Sequence, residues 1–178
     1  MNTRWLSLLP AALLAFGMAS PVALAGPTNV PFKGNLATQE TIELFPSDAV
    51  CRTGSFAKGT TAVIGNATYL GLVSGRGTDC IIITGGSPTL PSFAFTNGEL
   101  TVTAANGDQL TFTYSGAFTP TTSNPTDPQA AIYAIAGKFS VESGTGRFAK
   151  ATGNGFLTGS ENTITRQGYL EFTGTISY

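Results

Sequence analysis

The side chains in this 178-residue sequence that could do chemistry are carboxyls and tyrosines, because the chain contains no histidine. Histidine is the commonest general base and metal ligand, so its absence argues against Ser-His-Asp and Cys-His nucleophile arrangements. No calcium-binding loop of the D-x-D-x-D-G type occurs either. We therefore expect no metal site and no cofactor.

Glu40 is the one candidate catalytic residue. Strand alternation puts its side chain on the same face as three aliphatic residues that should point inward. These residues are Leu36, Ile42 and Leu44. A buried carboxyl is costly unless it is paired, and burial raises its pKa toward values that suit a general acid or base. Two structural interpretations stay open: a bulge that turns Glu40 outward, or an ion pair with Arg76 or Arg147.

Three tyrosines and one arginine are candidate ligand-binding residues. Tyr69, Tyr114 and Tyr133 could line a cavity, because an aromatic ring offers apolar contact together with a polar hydroxyl. Arg147, in a glycine-rich turn, could meet an anionic ligand. The structural alternatives are core or rim positions for the tyrosines, and contacts with carbonyls or a surface carboxylate for Arg147.

Period-two alternation predicts the strands that must position these residues. Residues 99–104 alternate apolar and polar side chains, residues 110–114 do the same, and Asn106-Gly107 between them favours a tight hairpin. Alternation also marks strands near both ends of the domain, at 36–44 and 170–178. Shorter candidates are residues 69–73, 80–84, 135–141 and 156–159.

The pattern predicts an all-β domain of about seven to nine strands, with no helical periodicity. Gly116, Gly137 and Gly174 interrupt predicted strands, where glycine usually marks a bulge or a sharp bend. Repeated bends favour a small closed antiparallel barrel, and a β-sandwich is the alternative. Two proline-rich segments, 85–92 and 119–129, are predicted loops that do not continue a ladder.

The first 25 residues have the pattern of an export signal. Arg4 precedes an apolar run, and Ala23-Leu24-Ala25 matches a cleavage site. Removal leaves residues 26–178 as a single domain without a membrane span, either secreted or periplasmic. Export makes a structural disulfide between the only two cysteines, Cys51 and Cys80, the expected state.

Charge gives no sign of a nucleic-acid or anionic-membrane partner. Without Arg4, the domain carries 8 basic and 10 acidic side chains, and its Lys and Arg residues are scattered along the chain. A small apolar molecule is the more plausible partner for such a barrel, and an oligomer is compatible with the sequence.

Gly144-Thr145-Gly146-Arg147-Phe148, followed by Ala151 and Gly153, resembles a segment of plant dirigent proteins and of the wider allene oxide cyclase-like barrel families. The stretches 105–110 and 66–71 are similar to segments of secreted bacterial members of that group. The resemblance implies a compact eight-stranded antiparallel barrel with an apolar interior. It transfers no catalytic residue to this chain.

Three functions are compatible with these observations. The first is a module that binds an apolar small molecule and needs no catalytic group. The second is a cyclase or stereo-directing enzyme in which Glu40 and a tyrosine assist proton transfer. The third is a structural or matrix protein without a ligand.

Overall fold

The computed structural model describes residue 26, residues 28–51 and residues 54–178. The predicted signal peptide, at 1–25, lies outside the described residues. Eight antiparallel strands form a closed barrel in which every strand pairs with its sequence neighbours and β8 returns to β1. The strands are β1 Val30–Leu44, β2 Ala57–Ala67, β3 Gly71–Ser87, β4 Leu90–Ala104, β5 Gln109–Pro120, β6 Ile132–Gly144, β7 Thr152–Asn162 and β8 Gln167–Ser177. The predicted closed barrel is confirmed, and the sandwich alternative is wrong.

Alternate side chains of the strands fill the half of the barrel in which β1 begins and β8 ends. Four phenylalanines meet at its centre, with ring centroids 5.2 to 6.1 Å apart in the contacting pairs. They are Phe32, Phe112, Phe139 and Phe172. A short 3-10 helix, Gly146–Phe148, lies at this end, and its fully buried Phe148 packs against Tyr178. This half of the barrel therefore has a packed apolar core.

The β4–β5 hairpin lies where the sequence predicts it, but its turn has a different form. Only Gly107 has a positive φ, at 88°, and four residues separate the strands. Asn106 donates a hydrogen bond to Asp108 Oδ2 (2.9 Å) and accepts one from the Asp108 backbone amide (3.2 Å). These side-chain contacts stabilise a longer turn than the two-residue one expected from Asn-Gly.

Alternation failed to predict β2 as a strand. Its inward positions hold Gly59 and other small residues, and Val63 is the one larger apolar side chain buried there. The alternation of apolar and polar residues is therefore too weak to indicate a strand. β3 is one strand of 17 residues rather than two short ones, and a register shift between Thr78 and Cys80 breaks its alternation.

The predicted loop at 85–92 is also wrong, because Gly86 pairs with Pro91 and Ser87 with Leu90. The β4–β5 ladder begins only at Phe93, so Pro91 pairs with β3 alone. Proline is tolerated there because no second strand requires an amide donor from it. The second predicted loop is confirmed in outline, since β5 ends at Pro120 and β6 begins at Ile132.

The glycines inside strands lie where neighbouring strands approach closely, and Gly116 also lies beside a bulge, because the β4–β5 register shifts next to it. Gly116 pairs directly with Gly137 and Gly174 with Gly155, without a register shift at either pair. A Cβ at Gly116 would collide with the carbonyl of Ala136 and the ring of Phe95. The absence of a side chain allows the strands and rings to approach there.

Cys51 and Cys80 form the predicted disulfide, with their Cα atoms 5.2 Å apart. The bond fixes the loop between β1 and β2 to β3. No helix in the described part of the chain is long and apolar enough to cross a membrane.

Candidate functional site

The end of the barrel at which β1 ends and β2 begins is open and forms a pocket of about 430 Å³, which we call the mouth pocket. Four aromatic side chains from the β1–β2 loop and from strands β4, β5 and β6 contribute to its wall. They are Phe56, Phe93, Phe118 and Tyr133. The ring of Phe93 lies 6.1 Å from that of Phe56 and 5.9 Å from that of Tyr133. Neighbouring rings therefore form a continuous apolar surface.

Three carboxyl groups lie inside the barrel next to this pocket, and we call them the carboxyl cluster. They are Glu40 on β1, Asp79 on β3 and Glu161 on β7, each about 5% exposed. All three line a small inner cavity of about 30 Å³ with mostly apolar walls. Glu40, Glu161 and Phe118 line both spaces, so the cluster lies between the inner cavity and the mouth pocket.

Glycine on β2 makes room for the cluster. A Cβ at Gly59 would lie only 2.5 Å from Glu40 Oε1 and 2.9 Å from Asp79 Oδ1. Both distances are far below a normal van der Waals contact, so the two carboxyls converge on the space that a side chain would fill.

Burial and mutual repulsion dominate the electrostatics of the cluster. Burial, followed by the charges of Glu161 and Asp79, raises the pKa of Glu40 to about 9. Burial also raises the pKa of Glu161, which accepts a hydrogen bond from protonated Glu40. The positive charge of Arg166 at the rim acts in the opposite direction but is outweighed. At neutral pH this pair of carboxyls holds a proton.

Asp79 is stabilised on one side only. The Tyr114 hydroxyl donates a hydrogen bond of 2.9 Å to Asp79 Oδ2. Oδ1 is buried and has no hydrogen-bond partner among the described residues. Burial raises the pKa of Asp79 to about 6, and the bond from Tyr114 limits the rise. Burial of the tyrosine hydroxyl and the charge of Asp79 raise the pKa of Tyr114 in turn.

The structure brings three of the five sequence-predicted candidates together. Glu40 points inward as its alternation predicts, although Leu44 on the same face is exposed at the rim. Tyr114 contacts the cluster, and Tyr133 is buried in the mouth pocket, where burial raises its pKa.

Tyr69 and Arg147 lie at the opposite end of the barrel and contact each other. The Arg147 guanidinium donates to the Tyr69 carbonyl (2.7 Å) and to Asp108 Oδ2 (2.9 Å). Arg147 therefore contacts a carbonyl and a surface carboxylate, which is the structural alternative given for it. Glu40 forms no ion pair with Arg147 or with Arg76, because Arg76 is exposed on the outer face of β3.

Sequence reasoning missed Asp79 and Glu161. The previous inward position holds a glycine in each case: Gly77 before Asp79, and Gly159 before Glu161. The alternation of apolar side chains that identifies an inward position is therefore interrupted just before each carboxyl. Counting two positions back from buried Ile81 reaches Asp79, and counting four positions forward from buried Leu157 reaches Glu161, so both side chains could have been placed inside.

Comparison with known proteins leaves the family open. No protein-family model matches the chain, and no similar sequence occurs among curated proteins. The described residues contain no group of three or more His, Cys, Asp or Glu side chains placed to hold a metal ion. The lining residues described above provide carboxyls, tyrosine hydroxyls and an aromatic wall.

Proposed function

We propose that the protein binds a small apolar molecule in the mouth pocket, with a polar group of that molecule against the carboxyl cluster. The observation that carries the proposal is an aromatic-walled opening with a floor of buried carboxyls. Ligand pockets in proteins combine a mostly apolar lining of about 300 to 1,000 Å³ with a few polar groups that fix orientation. The mouth pocket, at about 430 Å³, fits this description.

The first test is native mass spectrometry of the protein purified from its own source, to detect a co-purifying small molecule. Phe93→Ala removes part of the aromatic wall and is expected to release the bound molecule. Phe156→Ala makes the same change on the barrel exterior, where Phe156 is 63% exposed, and should retain it. Absence of any bound molecule in the wild type, together with no uptake of added apolar probes, would favour a structural role.

A second candidate function is acid–base catalysis on the bound molecule, such as a cyclisation or isomerisation. The paired carboxyls of Glu40 and Glu161 favour it, because neighbouring groups with separated pKa values can serve as acid and base. The resemblance to allene oxide cyclase-like barrels points in the same direction. Glu40→Gln should leave binding of a candidate substrate intact and abolish its turnover, whereas loss of neither property would argue for binding alone.

We also propose that the protein works after export, in the periplasm or outside the cell. The Cys51–Cys80 disulfide supports this, because such bonds persist in oxidising compartments. Expression of the full chain in a secreting bacterial host should yield an exported product whose amino terminus is Gly26. A product that stays in the cytosol with residues 1–25 attached would contradict the proposal.

A further inference from the structure

We propose that the ligand of the mouth pocket is an organic cation: an amine whose ammonium group enters the carboxyl cluster and whose apolar body lies against the aromatic wall. This inference rests on the proposed function, because it names the chemical class of the ligand for the same pocket. It stands on the charge, the unmet hydrogen bonding and the shape of the site.

The carboxyl oxygens around the inner cavity outnumber the donors that reach them, and no cation lies among its lining residues. Its lining contains three carboxyls and no Lys or Arg side chain. Asp79 Oδ1 is buried without a hydrogen-bond partner among the residues described, and it faces Glu40 Oε1 across the space above Gly59. An uncompensated buried carboxylate is costly. An ammonium group supplies one positive charge and three donors, which is what these oxygens lack.

The sizes of the two spaces suit the two ends of such a molecule. The inner cavity of about 30 Å³ can hold a group of roughly the size of one or two water molecules, such as an ammonium head. The mouth pocket of about 430 Å³ is large enough for the body of a small aromatic or aliphatic amine. Phe93, Phe118 and Tyr133 present rings there, and ring faces attract cations as well as apolar groups.

The charges around the cluster favour a cation over the other ligand classes. Glu161 on β7, Asp79 on β3 and the Tyr114 hydroxyl on β5 all face Glu40. Negative charge on Glu161 and Asp79 would repel an anion, and the Tyr114 hydroxyl already donates its hydrogen to Asp79. Arg166, in the turn between β7 and β8, is the single cationic side chain lining the mouth pocket among the described residues. With one proton held between Glu40 and Glu161 at neutral pH, the cluster still carries more negative charge than the single rim arginine can balance.

Binding of a cation should be linked to proton release. Without ligand, Glu40 keeps its proton at neutral pH because its pKa is raised to about 9. An ammonium group replaces that proton as the positive partner of the cluster. Affinity is therefore expected to increase as the pH rises toward 9, as long as the amine itself stays charged.

Three probes with one indole body separate charge from apolar contact: tryptamine, tryptophol and indole-3-acetate. The test is isothermal titration calorimetry on the oxidised protein, residues 26–178, at neutral pH. Tryptamine is expected to bind about tenfold or more tightly than tryptophol, and indole-3-acetate most weakly. Titrations in buffers of different ionisation enthalpy should show proton release with tryptamine alone.

Equal or tighter binding of tryptophol would overturn the cation inference and leave the proposed function standing. Failure of all three probes to bind would instead contradict the proposed function itself. The absence of proton release would also count against a cation in the cluster. The only tryptophan of the chain is Trp5, so the indole fluorescence of a probe can confirm binding independently.

Neutral variants of the cluster provide the structural test. Asp79→Asn and Glu161→Gln should each reduce the preference for tryptamine over tryptophol by about tenfold while tryptophol still binds. Glu171→Gln removes one carboxyl from the exposed outer face of β8 and should leave the preference unchanged. Retained tryptophol binding shows that a variant is folded, and an unchanged preference in both cluster variants would contradict the inference.

Discussion

The buried carboxyl of Glu40 makes the stability of the barrel depend on pH. In the folded protein its pKa is about 9, against an ordinary value of 4.5, so the folded state holds a proton that the unfolded chain releases. The resulting stabilisation is complete below about pH 4.5 and is lost as the pH rises toward 9. Asp79, with a pKa of about 6, acts in the same direction over a narrower range.

We expect the free energy of unfolding to fall by about 4 to 5 kcal/mol between about pH 5 and pH 8, mostly through Glu40, because each unit of pKa difference is worth about 1.4 kcal/mol. Glu40→Gln cannot ionise and should remove at least half of this decrease. Urea denaturation followed by circular dichroism across this range measures the effect. Glu171→Gln, on the exterior, should keep the wild-type slope, and a wild-type slope in Glu40→Gln would contradict burial of an ionisable Glu40.

Of the three carboxyls in the cluster, the sequence predicts an inward position for Glu40 alone. Glu40 follows a run in which Leu36 and Thr38 are both buried, so its inward position can be deduced by counting. The partners of Glu40 come from strands far away in sequence, and only barrel closure brings β7 and β3 to the same space. Local alternation cannot report that convergence.

At the scale of strands, close packing between neighbours makes specific glycines necessary. A Cβ at Gly116 would overlap the Ala136 carbonyl and the Phe95 ring, whereas a Cβ at Gly34 would have only ordinary contacts of 3.6 to 3.8 Å. Gly116→Ala should therefore destabilise the protein by about 1 to 3 kcal/mol, as overpacked cores do.

Gly34→Ala is the matched control, since it adds the same methyl group within a strand where space allows it. We expect a change of less than about 0.5 kcal/mol in the free energy of unfolding, as for substitutions that disturb no packing. Thermal and urea denaturation of both variants measure the difference. Equal destabilisation of the two variants would show that steric overlap is not the reason for glycine at 116.

The sequence predicts a strand where its inward positions hold bulky apolar residues, and it misses a strand where they hold glycine. β4 and β5 alternate bulky buried residues such as Leu100 and Phe112, and the sequence predicts their hairpin. β2 has Gly59 at an inward position because carboxyls occupy the adjacent space, so the feature that builds the site also hides its strand.

At the scale of the whole molecule, the disulfide stabilises the barrel by joining the loop between β1 and β2 to β3. Cys51 and Cys80 are separated by 29 positions, and the entropy of such a closed loop corresponds to about 3 to 4 kcal/mol. The double variant Cys51→Ala/Cys80→Ala should lose about that much in urea denaturation. Reduction of the wild type should produce a similar loss, and stability equal to that of the oxidised wild type after either change would contradict a structural role for the bond.

The pairing of β1 with β8 gives the ring a seam between the first and the last strands to be synthesised. Because β8 completes the ring, one edge of β1 stays unpaired until residues 167–177 are in place. A chain cut before Gln167 would carry two open edges, on β1 and β7, and each edge can accept a strand from another copy. Truncation at the carboxyl terminus would thus convert a self-contained ring into a unit that polymerises.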